Sequence, residues 1–146
     1  MRLFKTSCLM AFALAAGMSF LGGEANAARV SATVDLSSQV MHVSVGGKPA
    51  YSWSVSTGRK GYRTPTGRYR PTRMYRKYFS RKYDNAPMPN SIFFRGGYAI
   101  HGTTYTKNLG RPASHGCVRL SPANARTLYN LVQQHGPANT TISIRH

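Results

Sequence analysis

The sequence predicts a mainly β domain with one α-helix near its C-terminus. Over several short segments, apolar residues alternate with polar ones, which is typical of half-buried strands. Turns rich in glycine and serine separate these segments. Only the stretch after Ser121 places apolar residues at helical spacing.

The first predicted strands form an antiparallel meander. Ser37-Ser38 predicts a tight turn, and Gly46-Gly47 can adopt the positive φ values that a hairpin needs. The alternating apolar residues of the three strands are Val30, Ala32, Val34 and Leu36, then Met41, Val43 and Val45, then Tyr51, Trp53 and Val55.

A second hairpin is predicted further along the chain. Ile92-Phe93-Phe94 is a short apolar strand, and Gly96-Gly97 is the turn after it. Tyr98-Ala99-Ile100 then continues as a strand into His101. The segment 84–90 contains two prolines, and we interpret it as a loop that covers a groove.

The helix is predicted directly after Cys117. Ser121 can cap it, Pro122 suits its first position, and Gly136-Pro137 ends it. Residues 141–145 alternate again and predict a last strand. The apolar stripe of the helix consists of Ala125, Leu128, Leu131 and Val132.

Residues 1–27 are predicted to be a secretory signal peptide. A basic start is followed by an apolar run and by the small-residue site Ala25-Asn26-Ala27. The alternative is a membrane anchor, but the run is shorter than the roughly 20 residues that a spanning helix needs. We therefore expect residues 28–146 to form one exported domain without a stable membrane anchor, and Cys8 to leave with the signal peptide.

The predicted mature chain is strongly basic. It keeps 18 of the 20 Lys and Arg residues and only Asp35 and Asp84, so its formal charge is +16. This charge implies anionic partners, and for an exported protein we expect cell-wall carboxylates rather than nucleic acid. Ten of the basic residues lie in the segment 59–82 among tyrosines. This basic strip is either a surface that binds an anionic polymer or an ordinary solvated face.

One thiol and two imidazoles form the candidate reactive group. His101 precedes Cys117 by 16 residues, and His115 precedes it by two. A cysteine attacks as the thiolate, and a nearby imidazole can take its proton. His101 is the better candidate base because it closes a strand. A turn at Gly116 would group the amides of His115, Gly116 and Cys117, which could stabilise an oxyanion.

Two other interpretations of these residues stay open at this point. The two histidines and Cys117 could bind zinc and leave one coordination position free. The predicted mature chain has no Glu to act as a base there, and Asp35 and Asp84 are distant in sequence. Alternatively, Cys117 could be a buried structural residue beside incidental histidines.

The motif His101-Gly102-Thr103, followed by 114–120 with the sequence Ser-His-Gly-Cys-Val-Arg-Leu, closely resembles the signature of the L,D-transpeptidase catalytic domain family (YkuD-like). Residues 34–39, 56–58 and 64–67 match further pieces in the same order. The resemblance extends over nearly all of residues 29–146, and it implies a β-sandwich-like domain that needs no metal or cofactor.

The resemblance also implies a reaction and a set of roles. Cys117 would attack the diaminopimelate–D-Ala carbonyl of a peptidoglycan tetrapeptide stem and release D-Ala, and an amine would then take the acyl group from the thioester. His101 would be the base, oriented by the carbonyl of Gly102. The oxyanion-hole segment would be His115-Gly116-Cys117. Ser114 and Arg119 would shape the site, with Arg119 binding substrate.

The acceptor stays open within this resemblance. Relatives transfer the acyl group to another stem peptide, to an outer-membrane protein, to a D-amino acid or to water. We therefore keep two alternatives to the transpeptidase, namely a hydrolase with the same site and a non-catalytic basic wall-binding protein. In each case the expected location is the periplasm or cell wall.

Overall fold

The computed structural model describes residues 27–146. Nearly all of the predicted signal peptide lies outside this range, so its cleavage stays a prediction. The described part contains eleven strands and one α-helix. They are β1 (Val30–Asp35), β2 (Val40–Val45), β3 (Lys48–Ser54), β4 (Gly67–Tyr69), β5 (Arg73–Tyr75), β6 (Phe79–Ser80), β7 (Ala86–Pro87), β8 (Ser91–Arg95), β9 (Tyr98–Gly102), β10 (Val118–Leu120), α1 (Pro122–His135) and β11 (Thr140–Arg145).

The larger sheet has five strands in the order β3-β2-β1-β11-β4. Antiparallel pairing of β1 with β2 and of β2 with β3 confirms the predicted meander. The last strand, β11, lies between β1 and β4. It pairs with β1 in parallel, from Val30 opposite Thr140 to Asp35 opposite Arg145. Strands from both ends of the domain therefore form the middle of this sheet.

The smaller sheet has four strands in the order β10-β9-β8-β5. Its β8–β9 hairpin turns at Gly96-Gly97, as predicted. Strand β10 pairs in parallel with β9, and Arg119 lies opposite His101. This pairing brings the segment that follows Cys117 beside the strand that carries His101.

One apolar core joins both sheets and the helix. Alternation along β1 and β11 turns Val34 and Ile144 inward, where they meet Ile100 and Leu120 of the smaller sheet. Burial of such side chains stabilises the fold by about 1.5–3 kcal/mol each. The β-sandwich-like, mainly β class predicted from the sequence is confirmed.

Helix α1 begins and ends where its cap residues predict. The Ser121 hydroxyl accepts a hydrogen bond from the Asn124 amide at 3.2 Å, and Gly136 follows the last turn with a φ of 94°. The helix does not follow Cys117 directly, because β10 lies between them. Three residues are too short for a strand period to be visible in the sequence. Among residues 27–146, no helix is long and apolar enough to cross a membrane.

The segment 79–87 forms a small hairpin, which we call the flap. Strands β6 and β7 pair in it, and a short 3₁₀ helix, Arg81–Tyr83, connects them. Asp84 and Asn85 after that helix have left-handed backbone angles, with φ values of 49° and 53°. The loop predicted over 84–90 therefore contains a β-bridge, and its first residues belong to the flap.

Candidate active site

The loop before β10 is held in one conformation by a serine and a glycine. Ser114 is fully buried; its Oγ donates to the carbonyl of Cys117 at 2.6 Å and accepts from the amide of Gly116 at 3.0 Å. Gly116 has a φ of 116°, which disfavours any residue with a side chain. A Cβ atom there would also lie 2.6 Å from Cε1 of Tyr98. We call residues 114–117 the nucleophile loop, after the candidate nucleophile Cys117.

A threonine from a distant turn clamps the nucleophile loop. The Thr64 hydroxyl donates to the carbonyl of Gly116 at 2.9 Å and accepts from the amide of Gly58 at 2.9 Å. Nearby, the amide of Arg59 donates to the carbonyl of Ser114 at 3.0 Å. The segments 56–58 and 64–67, which match the family only as short pieces of sequence, thus support the nucleophile loop directly.

Cys117 is a free, half-buried thiol directly before β10. Its Sγ lies 3.8 Å from the carbonyl oxygen of Gly97. Burial raises the pKa of Cys117, and this effect is opposed by the backbone of Ala99 and by the positive charge of Arg119. The thiol is therefore protonated in the resting state, and its reaction needs a proton acceptor.

His101 has the protonation state of such an acceptor. It is buried, with 5% of its surface exposed, and its Nδ1 lies 2.8 Å from the carbonyl oxygen of Gly102. A carbonyl can only accept, so Nδ1 carries the hydrogen and Nε2 keeps a lone pair. Burial lowers the pKa of His101 to about 4; the Gly102 carbonyl acts in the opposite direction, and the charge of Arg119 lowers it further.

Strand pairing places the thiol and this imidazole on one face of the smaller sheet. Because Arg119 lies opposite His101, the parallel register puts Cys117 opposite Ala99, and all four side chains share that face. Cys117, His101, His115 and Arg119 line the same cavity, whose volume is about 370 Å³. The flap forms its other wall.

His115 lies in the same cavity but is engaged differently. Its Nε2 lies 2.9 Å from Nη2 of Arg59, and a guanidinium can only donate, so Nε2 is the acceptor. The ring stacks on Tyr83 of the flap at 4.3 Å between centroids and meets the edge of Tyr62 at 4.7 Å. Desolvation and the charges of Arg59, Arg119 and Lys82 lower the pKa of His115.

The basic strip of residues 59–82 does not form one strand. Arg59 supports His115, while Arg73 packs over the ring of Phe93 at 4.0 Å. Arg76 packs over Tyr129 of α1 and donates to the side-chain oxygen of Gln133 at 2.7 Å. The strip is thus divided among the active site, β4, β5 and the flap.

Within residues 27–146, no three His, Cys, Asp or Glu residues are grouped as metal ligands.

Comparison with known proteins decides the family. The model of the YkuD family, described as the L,D-transpeptidase catalytic domain, matches residues 29–144. The chain belongs to the L,D-transpeptidase catalytic domain family. This match confirms the resemblance recognised from the sequence motifs. A search of curated proteins found no significant match.

Solved structures of the L,D-transpeptidase family share this fold. An L,D-transpeptidase from Mycobacterium smegmatis has a TM-score of 0.72 at 22% identity, over 82% of this chain and 59% of that one. L,D-transpeptidase (Yku) from Stackebrandtia nassauensis has a TM-score of 0.70 at 28% identity, over 81% of this chain and 56% of that one. The L,D-transpeptidase from Xylanimonas cellulosilytica has a TM-score of 0.69 at 26% identity, over 82% of this chain and 61% of that one. The chain spans less than two thirds of each of these proteins.

Proposed function

We propose that this protein is an exported peptidoglycan L,D-transpeptidase of the periplasm or cell wall, with Cys117 as its nucleophile. The observation that carries the proposal is the tautomer of His101, which leaves a neutral Nε2 on the same sheet face as the thiol. The substrate is a tetrapeptide stem, and the attacked carbonyl belongs to its diaminopimelate–D-Ala bond. Family membership supports both assignments.

The proton follows a defined route in the first half-reaction. As Sγ of Cys117 attacks the carbonyl carbon, its proton moves to Nε2 of His101. The tetrahedral intermediate then collapses, the C–N bond breaks, and the imidazolium gives the proton to the departing amine of D-Ala. Because the resting pair is a neutral thiol and a neutral imidazole, the enzyme needs no preformed ion pair in its half-buried site.

The second half-reaction reverses the roles. An acceptor amine attacks the thioester and gives a proton to His101, and the thiolate that leaves takes this proton back. The product is a 3→3 cross-link when the acceptor is another stem. An outer-membrane protein could supply the amine instead. Water as acceptor would make the enzyme a hydrolase of the same bond.

The oxyanion donors can be assigned more narrowly than the sequence allows. The amide of Gly116 already donates to Ser114, so we assign the oxyanion to the amides of His115 and Cys117. The role of Gly116 is then conformational. Arg119 is half-buried, lines the cavity and shares the face of Cys117, so we assign it to a carboxylate of the stem peptide.

Product analysis tests this proposal. The mature protein is incubated with a disaccharide-tetrapeptide, and the products are followed by mass spectrometry. Release of D-Ala with dimer formation is expected, whereas release without dimers indicates hydrolysis. Cys117→Ala should abolish both. If the wild-type protein and Cys117→Ala leave the substrate equally unchanged, the enzymatic proposal is wrong and a non-catalytic wall-binding role remains.

Wall binding through the basic strip can be tested separately. Replacing Arg73, Arg76, Lys77 and Arg81 with Gln should weaken sedimentation with purified sacculi at low salt. Arg73 and Arg76 also pack on aromatic rings, so the pair Lys77→Gln and Arg81→Gln, both exposed, removes charge without those contacts. Unchanged sedimentation of both variants would show that the strip does not bind the wall.

A further inference from the structure

A second cavity lies at the edge of the five-stranded sheet, between β4 and the segment that connects α1 to β11. Its volume is about 370 Å³, and it shares no lining residue with the active-site cavity. Three arginines line it, Arg29, Arg68 and Arg70, together with Asn139 and Thr141. All three arginines are exposed, so the cavity presents three positive charges beside neutral polar residues.

The backbone places two of these arginines on the outer face of the sheet. Arg68 of β4 lies opposite Ser143 of β11, and alternation puts Arg70 on the same face as Arg68. Nη1 of Arg70 donates to the carbonyl of Ala138 at 3.3 Å. This bond holds one guanidinium at the wall of the cavity and leaves its other donors available.

The third arginine reaches the cavity from the far side of β11. Arg29 directly precedes β1, and its carbonyl accepts a hydrogen bond from the amide of Gly46 at 2.9 Å. Since Val30 pairs with Thr140, Arg29 lies next to Asn139. Residues distant in sequence, 29 and 68–70, are thus brought together by the position of β11 in the sheet.

The acidic side chains of residues 27–146 are too distant to neutralise this cluster. There are two of them, Asp35 and Asp84. Asp35 lies at the other end of β1, roughly 20 Å from Arg29 at a strand rise of about 3.3 Å per residue. There its carboxylate accepts hydrogen bonds from the amides of Ser37 and Ser38. Asp84 lines the active-site cavity. Charge interactions are screened over about 8–10 Å at ordinary ionic strength, so neither carboxylate neutralises the three exposed arginines, and the cluster can attract an anion from outside.

The number and type of donors indicate which anion fits. A guanidinium binds oxyanions through pairs of parallel N–H groups, and one such pair is enough for the two oxygens of a carboxylate. Three guanidinium groups suit a ligand with more oxygens and more charge. A phosphate group has three terminal oxygens and a charge near −2 when it is a monoester.

We propose that Arg29, Arg68 and Arg70 form a binding site for a phosphate group of a larger molecule. This site is separate from the active site, whose proposed substrates carry carboxylates. It would hold the enzyme on a phosphate-bearing molecule and leave the active-site cavity open. The phosphate could belong to a lipid headgroup or to a soluble phosphorylated compound, and the experiment below distinguishes these sources.

The test uses the full mature chain and inorganic phosphate as the probe. The Nε–Hε resonances of the arginines are followed by NMR during a phosphate titration at constant ionic strength. We expect saturable shifts at Arg29, Arg68 and Arg70. The double variant Arg68→Gln/Arg70→Gln should weaken binding by about tenfold or more, because it removes charge-assisted hydrogen bonds.

The matched control is Lys107→Gln/Arg126→Gln, which removes the same charge from exposed positions outside the cavity and outside the basic strip. It should change the affinity by no more than about twofold. Equal weakening in both double variants would mean that only net charge matters, and the site would be rejected. Absence of saturation would also reject it. Acetate binding as tight as phosphate binding would overturn the assignment to phosphate.

A second arm identifies the source of the phosphate. Vesicles of phosphatidylcholine, with and without phosphatidylglycerol, are sedimented with the protein, and glycerol 3-phosphate is titrated in parallel. Sedimentation that needs phosphatidylglycerol and is lost in Arg68→Gln/Arg70→Gln assigns a lipid headgroup. Saturable binding of glycerol 3-phosphate without such sedimentation assigns a soluble ligand. A native NMR spectrum of the double variant verifies that it folds.

Discussion

Replacing Thr64 with valine would test how the nucleophile loop is held. Thr64 is only 6% exposed, and valine has nearly the same shape, so the change removes one hydroxyl and little volume. Two backbone groups lose their partner, the carbonyl of Gly116 and the amide of Gly58. An unpaired buried polar group costs about 1–3 kcal/mol. The Gly116 bond is buried and the Gly58 bond only partly, so we expect a loss of about 3 kcal/mol in the free energy of unfolding.

Urea denaturation measures this loss, and Thr64→Ser is the matched control. Serine keeps the hydroxyl and lacks one methyl group, so it should cost only about 1 kcal/mol. The carbonyl of Gly116 directly precedes Cys117, so Thr64→Val should also slow acylation of Cys117, on the order of tenfold. If the valine and serine variants unfold at the same urea concentration, the hydroxyl does not hold the loop and the reasoning is refuted.

Three further predictions concern protonation and capping. The pKa of buried His101 is lowered to about 4, so as the pH falls this histidine is protonated in the unfolded chain before it is protonated in the folded one. The free energy of unfolding should therefore decline between about pH 6.5 and 4, by about 3 kcal/mol in total. Urea denaturation across this range would show the decline, and a His101→Gln variant should show a smaller one. Arg59→Met removes the donor to Nε2 of His115 and should raise the pKa of His115 in an NMR titration, whereas Arg59→Lys keeps the charge and should raise it less; an unchanged pKa in Arg59→Met would contradict the assigned contact. Ser121→Ala removes the N-cap of α1 and should lower the free energy of unfolding by about 1 kcal/mol; no loss would mean that the cap bond is dispensable.

The elements that the sequence predicts well are those with local signals. The β1–β2–β3 meander follows from alternation and from turn residues such as Gly46-Gly47. Helix α1 follows from Ser121, Pro122 and Gly136, each of which acts within one turn. Its buried face also includes Tyr129, which the aliphatic stripe alone does not predict.

Long-range pairing accounts for what the sequence could not show. Nothing local indicates that β11 inserts between β1 and β4, and β4 has only three residues, too few for a visible period. Because these short strands give no visible period, the sequence presents the basic strip as one continuous segment. In the structure, Arg70 lies at the edge of the large sheet while Arg76 contacts α1.

Some residues of the candidate site are likewise indicated by residue type, whereas others depend on long-range contacts. Residue types alone mark Cys117 and His101 as a candidate pair but leave a zinc site and a structural cysteine open, and the structure places both residues in one cavity. The contacts of Thr64 and Arg59 depend on how distant loops meet, so residue type gave no signal for them. The one sequence feature that indicates a role for Thr64 is the match of residues 64–67 to the family signature. The tautomer of His115 follows from a neighbour 56 positions away.

The parallel pairing of β1 with β11 also determines when the domain can fold. The paired residues Val30 and Thr140 are 110 positions apart, and contacts of such separation form slowly. During synthesis, the inner edge of β1 stays unpaired until Thr140–Arg145 has emerged. The large sheet therefore cannot be completed before β11 is available to pair with both β1 and β4. Until β11 pairs with it, this edge of β1 is open to aggregation.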